Sequence, residues 1–582
     1  MNGGESNPRA HKKRLGAFYT PVHLAERITK NSLDNWLHNQ SSFDNRHQLK
    51  LVQNLKILDP SVGSGVFLIA AANWLDSTRQ RLGEESSTKT RRESIVHNSL
   101  FGVDIEKTAV TSCHSEIIRW FSQEGDEQRT IIESVRNNIR QGNSLSSYNW
   151  AVDFSGIVSR ENPGFDVILG NPPYGNILSK DERDFIKANY PFNVGGSRTG
   201  TWNSAAHFIV RVSMLLRQNG ELGFLIPNSI LRVKQFTKTR QFLLEHLKLW
   251  KIIDEGSPFD DVTLEMVTIL CTKQQQGDDF NVEVESRRPG FEQKNFIPLR
   301  LLRTSKIFPI YHDEIFERIL KKGQKNLLLA SRGRDIPHEY VKQSKTKEFT
   351  IPYITSGRSV RRYYIDTNYQ KYTNNWYLND QGMESSFSSE LLVATKNYRF
   401  PRCVIKPVGT IHGGGIVQIK PTSTGVDLRT LGLILNSRLI QYICSRYLTN
   451  HSQLTTCLNT GVIEELPIVL PEYPETYAIL FDALSKLHNE ESSQDRDICI
   501  RVMETVSEAL VYDLYFGNSN RFQKDVTQII ETNRNQIGNI SLLCDNLSSD
   551  SLVSQINDIM KKTIVEQIEN RLKEIPTKSP RY

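Results

Sequence analysis

One segment contains an apolar run that is followed by groups able to bind an amine. It extends from Asp166 to Gly175 and has the sequence Asp-Val-Ile-Leu-Gly-Asn-Pro-Pro-Tyr-Gly. The run predicts a strand that ends at Asn171, after which Pro172 and Pro173 restrict the backbone. The Asn171 side-chain carbonyl and the Pro172 main-chain carbonyl can both accept hydrogen bonds from one planar NH2 group, and the Tyr174 ring can stack on its base. Such contacts orient an amine and stabilise its developing positive charge. We therefore assign these four residues to catalysis, although the tetrapeptide alone could be a simple turn.

A second segment, Ile57 to Leu68, has the sequence Ile-Leu-Asp-Pro-Ser-Val-Gly-Ser-Gly-Val-Phe-Leu. It predicts a strand, a glycine turn and a helix. Gly63 and Gly65 allow a tight turn and a close approach to a ligand, and Asp59 can accept hydrogen bonds. The pattern favours a nucleotide-type pocket, but a glycine turn can also serve only to pack a helix on a sheet.

The next predicted strand, Leu100 to Asp104, ends in a carboxylate. A carboxylate at the end of the second strand of such a unit can bind the two ribose hydroxyls of a nucleoside. Asp104 is therefore a candidate ribose ligand, with a helix N-cap as the alternative.

The sequence around these segments predicts an α/β fold. From about residue 51 to 271, strand-like runs alternate with amphipathic stretches, including Phe165–Leu169, Glu221–Ile226 and Met266–Leu270. A polar stretch after Cys271 predicts a domain break near residue 280. Residues 281–472 are basic, aromatic and turn-rich, and helical periodicity dominates 473–582.

The chain of 582 residues is 38% hydrophobic and carries a net charge of +7, which indicates two to four globular domains. The charge is uneven. Residues 287–420 hold 24 lysines and arginines against 11 acidic residues, a net charge of +13 that leaves −6 for the remainder. One block of the chain therefore carries its basic character.

The seven cysteines form no Cys-x-x-Cys pair, which argues against a disulfide framework and a structural zinc site, and we expect no metal. No apolar run approaches the ~20 residues needed to cross a bilayer. The sequence predicts a cytoplasmic protein.

With these motifs in this order, the chain resembles the gamma-class adenine-N6 DNA methyltransferases, the TaqI-like and Eco57I-like restriction-modification methylases. The resemblance implies a Rossmann-like, S-adenosylmethionine-dependent methyltransferase domain with a mixed seven-stranded sheet (1–280). It implies an α+β target-recognition domain (281–472), which a helical C-terminal region (473–582) follows. Sequence-specific methylation of adenine N6 in double-stranded DNA is the expected activity, and a separately encoded restriction endonuclease is a candidate partner.

The resemblance also assigns residues to the cofactor and the target base. Phe259 takes the place of an aromatic ring against the target adenine, beside Tyr174. Phe208 takes the place of a ring that packs on the cofactor adenine, although either phenylalanine could be a core residue. Asn143 stands where the family usually has an aspartate. The implied cofactor-binding residues are Phe18, Thr20, Pro21, Asp59, Pro60, Ser61, Gly63, Gly65, Asp104, Ile105, Asn143, Ser144 and Phe208.

A buried amine must leave the duplex to react, so this chemistry implies base flipping and a second domain that holds the DNA. The +13 block suits that role because its cations alternate with aromatic side chains, as expected for phosphate and base contacts. The candidate DNA-binding residues are Arg358, Arg361, Arg362, Lys396, Arg399, Arg402 and Lys406, among Tyr353, Tyr363, Tyr364, Tyr398 and Phe400.

Other functions fit less well. Carbon-5 cytosine methylation needs a thiolate that commonly follows proline, and no cysteine here does so. Only about fifteen residues precede Gly16, so we expect no N-terminal nuclease domain and no intrinsic cleavage. Methylation of RNA or of a protein glutamine, a bifunctional restriction enzyme-methylase and a non-enzymatic DNA-binding module are the alternatives.

Overall fold

The five predicted strands of the N-terminal half all belong to one nine-stranded sheet. The computed structural model describes residues 20–40, 44–121, 129–196, 199–259, 264–275, 277, 279–355, 357–395, 400–452, 458, 460–533 and 540–573. The chain divides into two compact units, residues 1–305 and 306–582.

The sheet of the first unit has the order β3-β2-β1-β4-β5-β7-β6-β8-β9. The strands from β3 to β5 are parallel, and β7 then runs antiparallel to both β5 and β6. The strands are β1 (Ile57–Asp59), β2 (Leu100–Asp104), β3 (Ile139–Gln141), β4 (Phe165–Gly170), β5 (Leu216–Pro227), β6 (Lys248–Gly256), β7 (Met266–Thr272), β8 (Asn281–Ser286) and β9 (Gln293–Pro298).

The first unit also contains helices, and these connect successive strands from β1 to β6, as the alternating pattern predicted. They are α1 (Val22–His38), α2 (Asn45–Gln53), α3 (Val66–Arg81), α4 (Thr88–Asn98), α5 (Lys107–Phe121), α6 (Arg129–Asn138), α7 (Trp150–Asp153), α8 (Ser155–Val158), α9 (Lys180–Asn189), α10 (Ser204–Leu215), α11 (Thr237–His246) and α12 (Leu299–Thr304).

The central strands are rich in apolar residues because both of their faces are covered. All six residues of β4 are buried. On β2, Leu100 belongs to the core formed with α1 and α3, whereas Phe101 packs on the rings of Phe154 and Phe165. Successive side chains of a strand point to opposite faces, so this strand is held from both sides.

The sheet is larger than predicted. β8 pairs in parallel with β6, and β9 pairs with β8, so that nine strands are present where seven were expected and the first unit continues to residue 305. Val282 and Val284 are fully buried in this extension. The predicted break near residue 280 falls between β7 and β8, which both belong to this sheet.

The second unit contains two four-stranded sheets, with the orders β10-β17-β14-β15 and β11-β13-β12-β16. The first is antiparallel throughout, and the second has one parallel pair, β12 with β16. The strands are β10 (Leu328–Arg332), β11 (Val341–Lys342), β12 (Ile351–Ile354), β13 (Lys371–Thr373), β14 (Leu391–Thr395), β15 (Cys403–Lys406), β16 (Ile411–His412) and β17 (Ile416–Pro421).

Helices dominate the end of the second unit, as predicted. Those of this unit are α13 (Glu314–Lys322), α14 (Gln381–Ser388), α15 (Leu428–Leu435), α16 (Arg438–Ile443), α17 (Thr460–Glu464), α18 (Pro474–Asn489), α19 (Gln494–Phe516), α20 (Arg521–Thr532), α21 (Ile540–Leu547), α22 (Asp550–Met560) and α23 (Thr563–Lys573).

The C-terminal helices belong to the same compact unit as the two small sheets. A Cβ atom on Gly432 of α15 would lie 2.5 Å from the Phe481 ring of α18, so these helices touch closely. Arg438 of α16 forms an ion pair with Glu569 of α23. The region 473–582, predicted as a third part of the chain, falls within this unit of residues 306–582.

Among the described residues, no helix has the length and apolar character that crossing a membrane requires.

Candidate functional site

Three predicted site segments meet at the carboxyl ends of β1, β2 and β4 in the first unit. β1 lies between β2 and β4, and the chain runs outward from β1 to β2 and β3 before it crosses back to β4 on the other side of β1. Ligands of open α/β sheets bind at this kind of position. Asp59, Asp104 and Asn171 are thus brought to one edge by the strand order alone.

The glycine turn after β1 has the backbone that the sequence predicted. Gly63 and Gly65 have φ angles of +53° and +90°, which lie in the left-handed region. A Cβ atom on Gly65 would also lie 2.7 Å from the Cys113 sulfur, so a larger residue there would collide with α5. Both glycines are therefore required by the turn itself.

Asp59 is a buried carboxylate at the head of this turn. Its side chain is 1% exposed and accepts a hydrogen bond of 3.0 Å from the Ser61 N–H. Burial raises the pKa of Asp59 to about 8, against the opposing effect of that hydrogen bond. A Cβ atom on Gly170 would lie 2.9 Å from Asp59 Oδ1, so the end of β4 lies directly against the carboxylate.

Asp104 ties the turn to the second strand. Its carboxylate accepts hydrogen bonds of 2.9 Å from the N–H groups of Gly63 and Glu106. Burial raises the pKa of Asp104, and these two hydrogen bonds oppose the rise. The Ile105 side chain beside it is exposed to solvent. The predicted ribose ligand therefore lies in contact with the predicted cofactor turn.

The segment Gly142–Leu145 completes this part of the site. The Gly142 N–H donates to the Asp104 main-chain carbonyl at 2.8 Å, and Ser144 Oγ donates to the Pro60 carbonyl at 2.6 Å. Between them, Asn143 donates its side-chain N–H to Glu182 Oε1 at 2.6 Å. Sequence reasoning named Asn143 and Ser144 but missed Glu182, which lies 39 residues further along the chain.

The predicted catalytic loop begins where β4 ends. Asn171 Nδ2 donates to Thr20 Oγ1 at 3.2 Å, which joins the loop to the residue before α1. Pro172 is buried, and Tyr174 and Phe259 both pack against the core that α1 and α3 share with the sheet. Burial raises the pKa of Tyr174 well above its ordinary value, so its hydroxyl stays protonated.

Ser204 holds the far side of this loop, and sequence reasoning did not single it out. Its hydroxyl donates to the Pro173 carbonyl at 2.6 Å, and its N–H donates to the Gly175 carbonyl at 2.9 Å. Asn203 caps the same helix, since its side chain accepts from the Ala205 N–H. The Asn-Ser pair at a predicted helix start was the available signal.

Pro21 and Phe208 lie within secondary structure. Pro21 is the N-cap residue of α1, and its carbonyl accepts from the N–H groups of Leu24 and Ala25. Phe208 is buried within α10 at 5% exposure. Phe18, Lys396, Tyr398 and Arg399 lie outside the described residues.

A cavity of about 520 Å³ opens beside the loop, within the first unit. Asn176, Trp202 and Phe236 contribute to its wall, with Gly196 and Gly200. The space thus combines amide groups and aromatic rings next to the end of the catalytic loop.

Buried charges anchor the strands that flank Phe259. Arg288 bonds to Asp254 at 3.0 Å and to Glu265 at 2.7 Å, and each of the three side chains is under 5% exposed. Thr268 donates to Glu255, which also pairs with Arg27 of α1. These contacts fix the ends of β6 and β7, between which Phe259 lies.

The predicted DNA-binding residues of the second unit differ in their surroundings. Arg358 is exposed, with its guanidinium 5.9 Å from the centre of the Tyr369 ring. Arg361 is half-buried and pairs with Asp366 at 3.4 Å. Arg358 lies in a turn, Arg361 lies between the bridged residues Val360 and Ile365, and Tyr363 has a φ of +72°.

Three of the predicted cations are engaged inside the unit. Arg362 pairs with the buried Glu508 at 3.1 Å, and Arg402 donates to the Gly357 carbonyl at 2.8 Å. Lys406 is fully buried, and its ammonium donates to four main-chain carbonyls, those of Ser386, Ser389, Pro407 and Thr410. The Lys406 ammonium is therefore enclosed by main-chain carbonyls, and these surroundings favour a structural role over the predicted DNA contact.

The chain is similar to known proteins of restriction-modification systems. Residues 98–259 match the family model of the Eco57I restriction-modification methylases. A Methanocaldococcus jannaschii protein assigned as a type II restriction enzyme and methyltransferase is 24% identical over 96% of this chain and 63% of its own length. The type II restriction enzyme and methyltransferase RM.Eco57I of Escherichia coli is 28% identical over 41% of this chain and 26% of its own. The chain thus spans less than two thirds of either relative.

Solved structures match the fold. The DNA complex of the type IIL restriction-modification enzyme MmeI superposes with a TM-score of 0.58 at 13% identity, over 90% of this chain and 80% of MmeI. A nuclease-deletion mutant of the type ISP enzyme LlaGI, bound to a DNA substrate mimic, gives 0.53 at 13% identity over 96% of this chain and 56% of that one. The chain has the mixed α/β fold of restriction-modification enzymes. The match to the Eco57I restriction-modification methylase model covers residues 98–259, which is less than half of the chain.

Proposed function

We propose that the chain transfers a methyl group from S-adenosylmethionine to the N6 amine of adenine in double-stranded DNA, as the modification activity of a restriction-modification system. The observation that carries the proposal is the hydrogen bond between Asn171 and Thr20 at the edge where Asp59 and Asp104 meet. It joins the predicted amine-binding loop to the predicted cofactor-binding segment.

The residues present fit the cofactor. The turn has the left-handed backbone of Gly63 and Gly65, and the Asp104 carboxylate that accepts from the Gly63 N–H suits a pair of ribose hydroxyls. Asp59 and the segment Gly142–Ser144 border the same turn. When bound, S-adenosylmethionine would supply an electrophilic methyl group.

The catalytic loop would act on the target amine by orientation and electrostatics. The Asn171 side-chain oxygen and the Pro172 carbonyl would accept the two N6 hydrogens, which turns the nitrogen lone pair out of the plane of the base. Tyr174 and Phe259 would stack on the flipped adenine in place of its lost neighbours. The core contacts of both rings keep them in place.

The second unit would hold the duplex through its basic surface. Among the described candidates, Arg358 is exposed, and Arg361, Arg362 and Arg402 are partly exposed. DNA-bound MmeI and LlaGI share the fold, which makes a DNA substrate a reasonable inference for this chain.

The test is methylation of unmethylated plasmid by purified protein, followed by digestion to nucleosides and mass spectrometry. We expect N6-methyladenine with wild type and with Asn189→Ala, which alters an exposed asparagine at the end of α9, and none with Asn171→Ala. Finding N4-methylcytosine instead, or equal activity of wild type and Asn171→Ala, would overturn the proposal.

A further inference from the structure

Asn143 occupies a fixed place in the proposed cofactor site. Its neighbours Gly142 and Ser144 bond to Asp104 and to Pro60, so the residue lies between the second strand and the glycine turn. A Cβ atom on Gly142 would come within 2.3 Å of the Tyr148 ring, which leaves the segment little room to shift.

Two hydrogen bonds set the orientation of the Asn143 side-chain amide. Its oxygen accepts from the Leu145 N–H at 3.0 Å, and its nitrogen donates to Glu182 Oε1 at 2.6 Å. An asparagine amide has two N–H donors and two oxygen lone pairs. Glu182 and Leu145 therefore use one of each, and the amide keeps one donor and one acceptor for a ligand.

Glu182 is itself held in position by the start of α9. Its second oxygen accepts from the Ser179 N–H at 2.7 Å, and its own N–H donates to Ser179 Oγ at 3.2 Å, which forms a capping box. Partial burial would raise the pKa of Glu182, but hydrogen bonds from the Ser179 backbone and from Asn143 outweigh it and lower the pKa. The carboxylate is thus ionised at neutral pH and accepts only.

We propose that Glu182 is a positioning residue that fixes the Asn143 amide so that its oxygen and its second N–H pair with the adenine edge of the cofactor. The inference rests on the proposed function. Adenine offers an N–H donor at N6 beside a ring-nitrogen acceptor, which matches an amide in this orientation. A carboxylate at position 143 could accept from N6 but could not donate to the ring nitrogen.

Orientation of the amide matters for selectivity between purines. Hypoxanthine carries an oxygen at position 6 and a proton on N1. Its acceptor would therefore face the oxygen of the Asn143 amide, and its donor would face the amide N–H. Without Glu182, the Asn143 side-chain amide can rotate by half a turn and lose only the hydrogen bond from the Leu145 N–H. The preference of the site for adenine over hypoxanthine should then fall. A charge-assisted hydrogen bond is worth enough for about a tenfold change in such a ratio.

The experiment is calorimetric binding of S-adenosylhomocysteine and S-inosylhomocysteine to the full chain, which needs no catalysis. We expect wild type to prefer the adenosyl compound and Glu182→Ala to reduce the ratio of the two dissociation constants about tenfold. Ser179→Ala removes the hydroxyl cap of α9 but keeps the Glu182 carboxylate, so its ratio should stay within about twofold of wild type.

A second pair of variants tests the contact between Asn143 and Glu182 by changing Asn143. Asn143→Asp places a carboxylate against Glu182 and should weaken S-adenosylhomocysteine binding, whereas adding Glu182→Gln should restore part of it because the new amide can donate to the aspartate. A ratio that is unchanged in Glu182→Ala would overturn the inference and leave the proposed function standing. A wild type that binds neither compound would instead count against the proposed function, and the inference would fall with it.

Discussion

The side-chain amide of Asn171 donates to the hydroxyl of Thr20 at 3.2 Å, although 151 residues separate the two in sequence. Thr20 precedes α1, and α1 packs against the core beneath β4 and β5. Thr20 and the loop that begins at the end of β4 are therefore joined directly in the candidate site. A change at Thr20 should act on the catalytic loop without altering the loop sequence.

Thr20→Val removes the hydroxyl that accepts from Asn171 while it keeps the shape of the side chain. We expect the rate of methyl transfer to fall about tenfold, because Asn171 loses a partner that fixes its amide. Thr20→Ser retains the hydroxyl and should stay within about threefold of wild type. Single-turnover methylation with a labelled methyl donor measures the rate, and equal rates of the two variants would contradict the prediction.

Ser204→Ala should loosen the other side of the loop. The variant loses the hydrogen bond to the Pro173 carbonyl but keeps the main-chain bond to Gly175. We expect kcat to fall about fivefold to tenfold with little change in DNA affinity, since the serine contacts the loop and not the duplex.

Ser213→Ala is the matched control, because Ser213 lies on the same helix and bonds only to the carbonyl of Val210 among the hydrogen bonds described for its hydroxyl. Its kcat should equal that of wild type. Steady-state kinetics with an oligonucleotide duplex compares the two, and an equal loss in both variants would assign the effect to the helix.

The sequence predicted those site residues whose position in the fold follows from the local pattern of apolar and polar residues. Asp59, Asp104 and Asn171 each end an apolar run, and parallel strands bring such ends to one edge. Glu182 and Ser204 were missed because their partners are distant in sequence. The charge count included Lys406 because composition does not distinguish a surface cation from one enclosed by carbonyl groups.

Arg358 and Lys406 should therefore respond differently to removal of their charges. Arg358→Ala should weaken DNA binding and reduce the slope of affinity against salt concentration, because an exposed cation contributes by counterion release. Lys406→Met should lower the free energy of unfolding by about 2–4 kcal/mol, because four buried carbonyls lose their donor.

Fluorescence anisotropy at several salt concentrations and thermal unfolding separate these effects. Arg358→Ala should unfold at the temperature of wild type. If folded Lys406→Met showed the same loss of salt slope as Arg358→Ala, its structural assignment would be wrong.

Asp59 should make the first unit less stable as the pH rises. Its pKa is about 8 in the folded protein and 3.8 ordinarily, so the folded state holds the proton that the unfolded chain releases. Stability from this group is therefore greatest below pH 4 and is lost progressively between about pH 4 and pH 8. Asp59→Asn keeps the acceptor for the Ser61 N–H but cannot ionise, so it escapes this loss.

The melting temperature of Asp59→Asn relative to wild type should consequently increase from pH 5 to pH 8, by roughly 5 °C, and level off above that, since each pKa unit is worth about 1.4 kcal/mol. Asp181→Asn alters an exposed carboxylate and should show no such increase. Differential scanning fluorimetry across this pH range measures the difference, and a constant offset between Asp59→Asn and wild type would refute the raised pKa. Asp59→Asn should also bind S-adenosylhomocysteine more weakly than wild type at pH 8. That result would indicate that the Asp59 charge contributes to cofactor binding although it destabilises the fold.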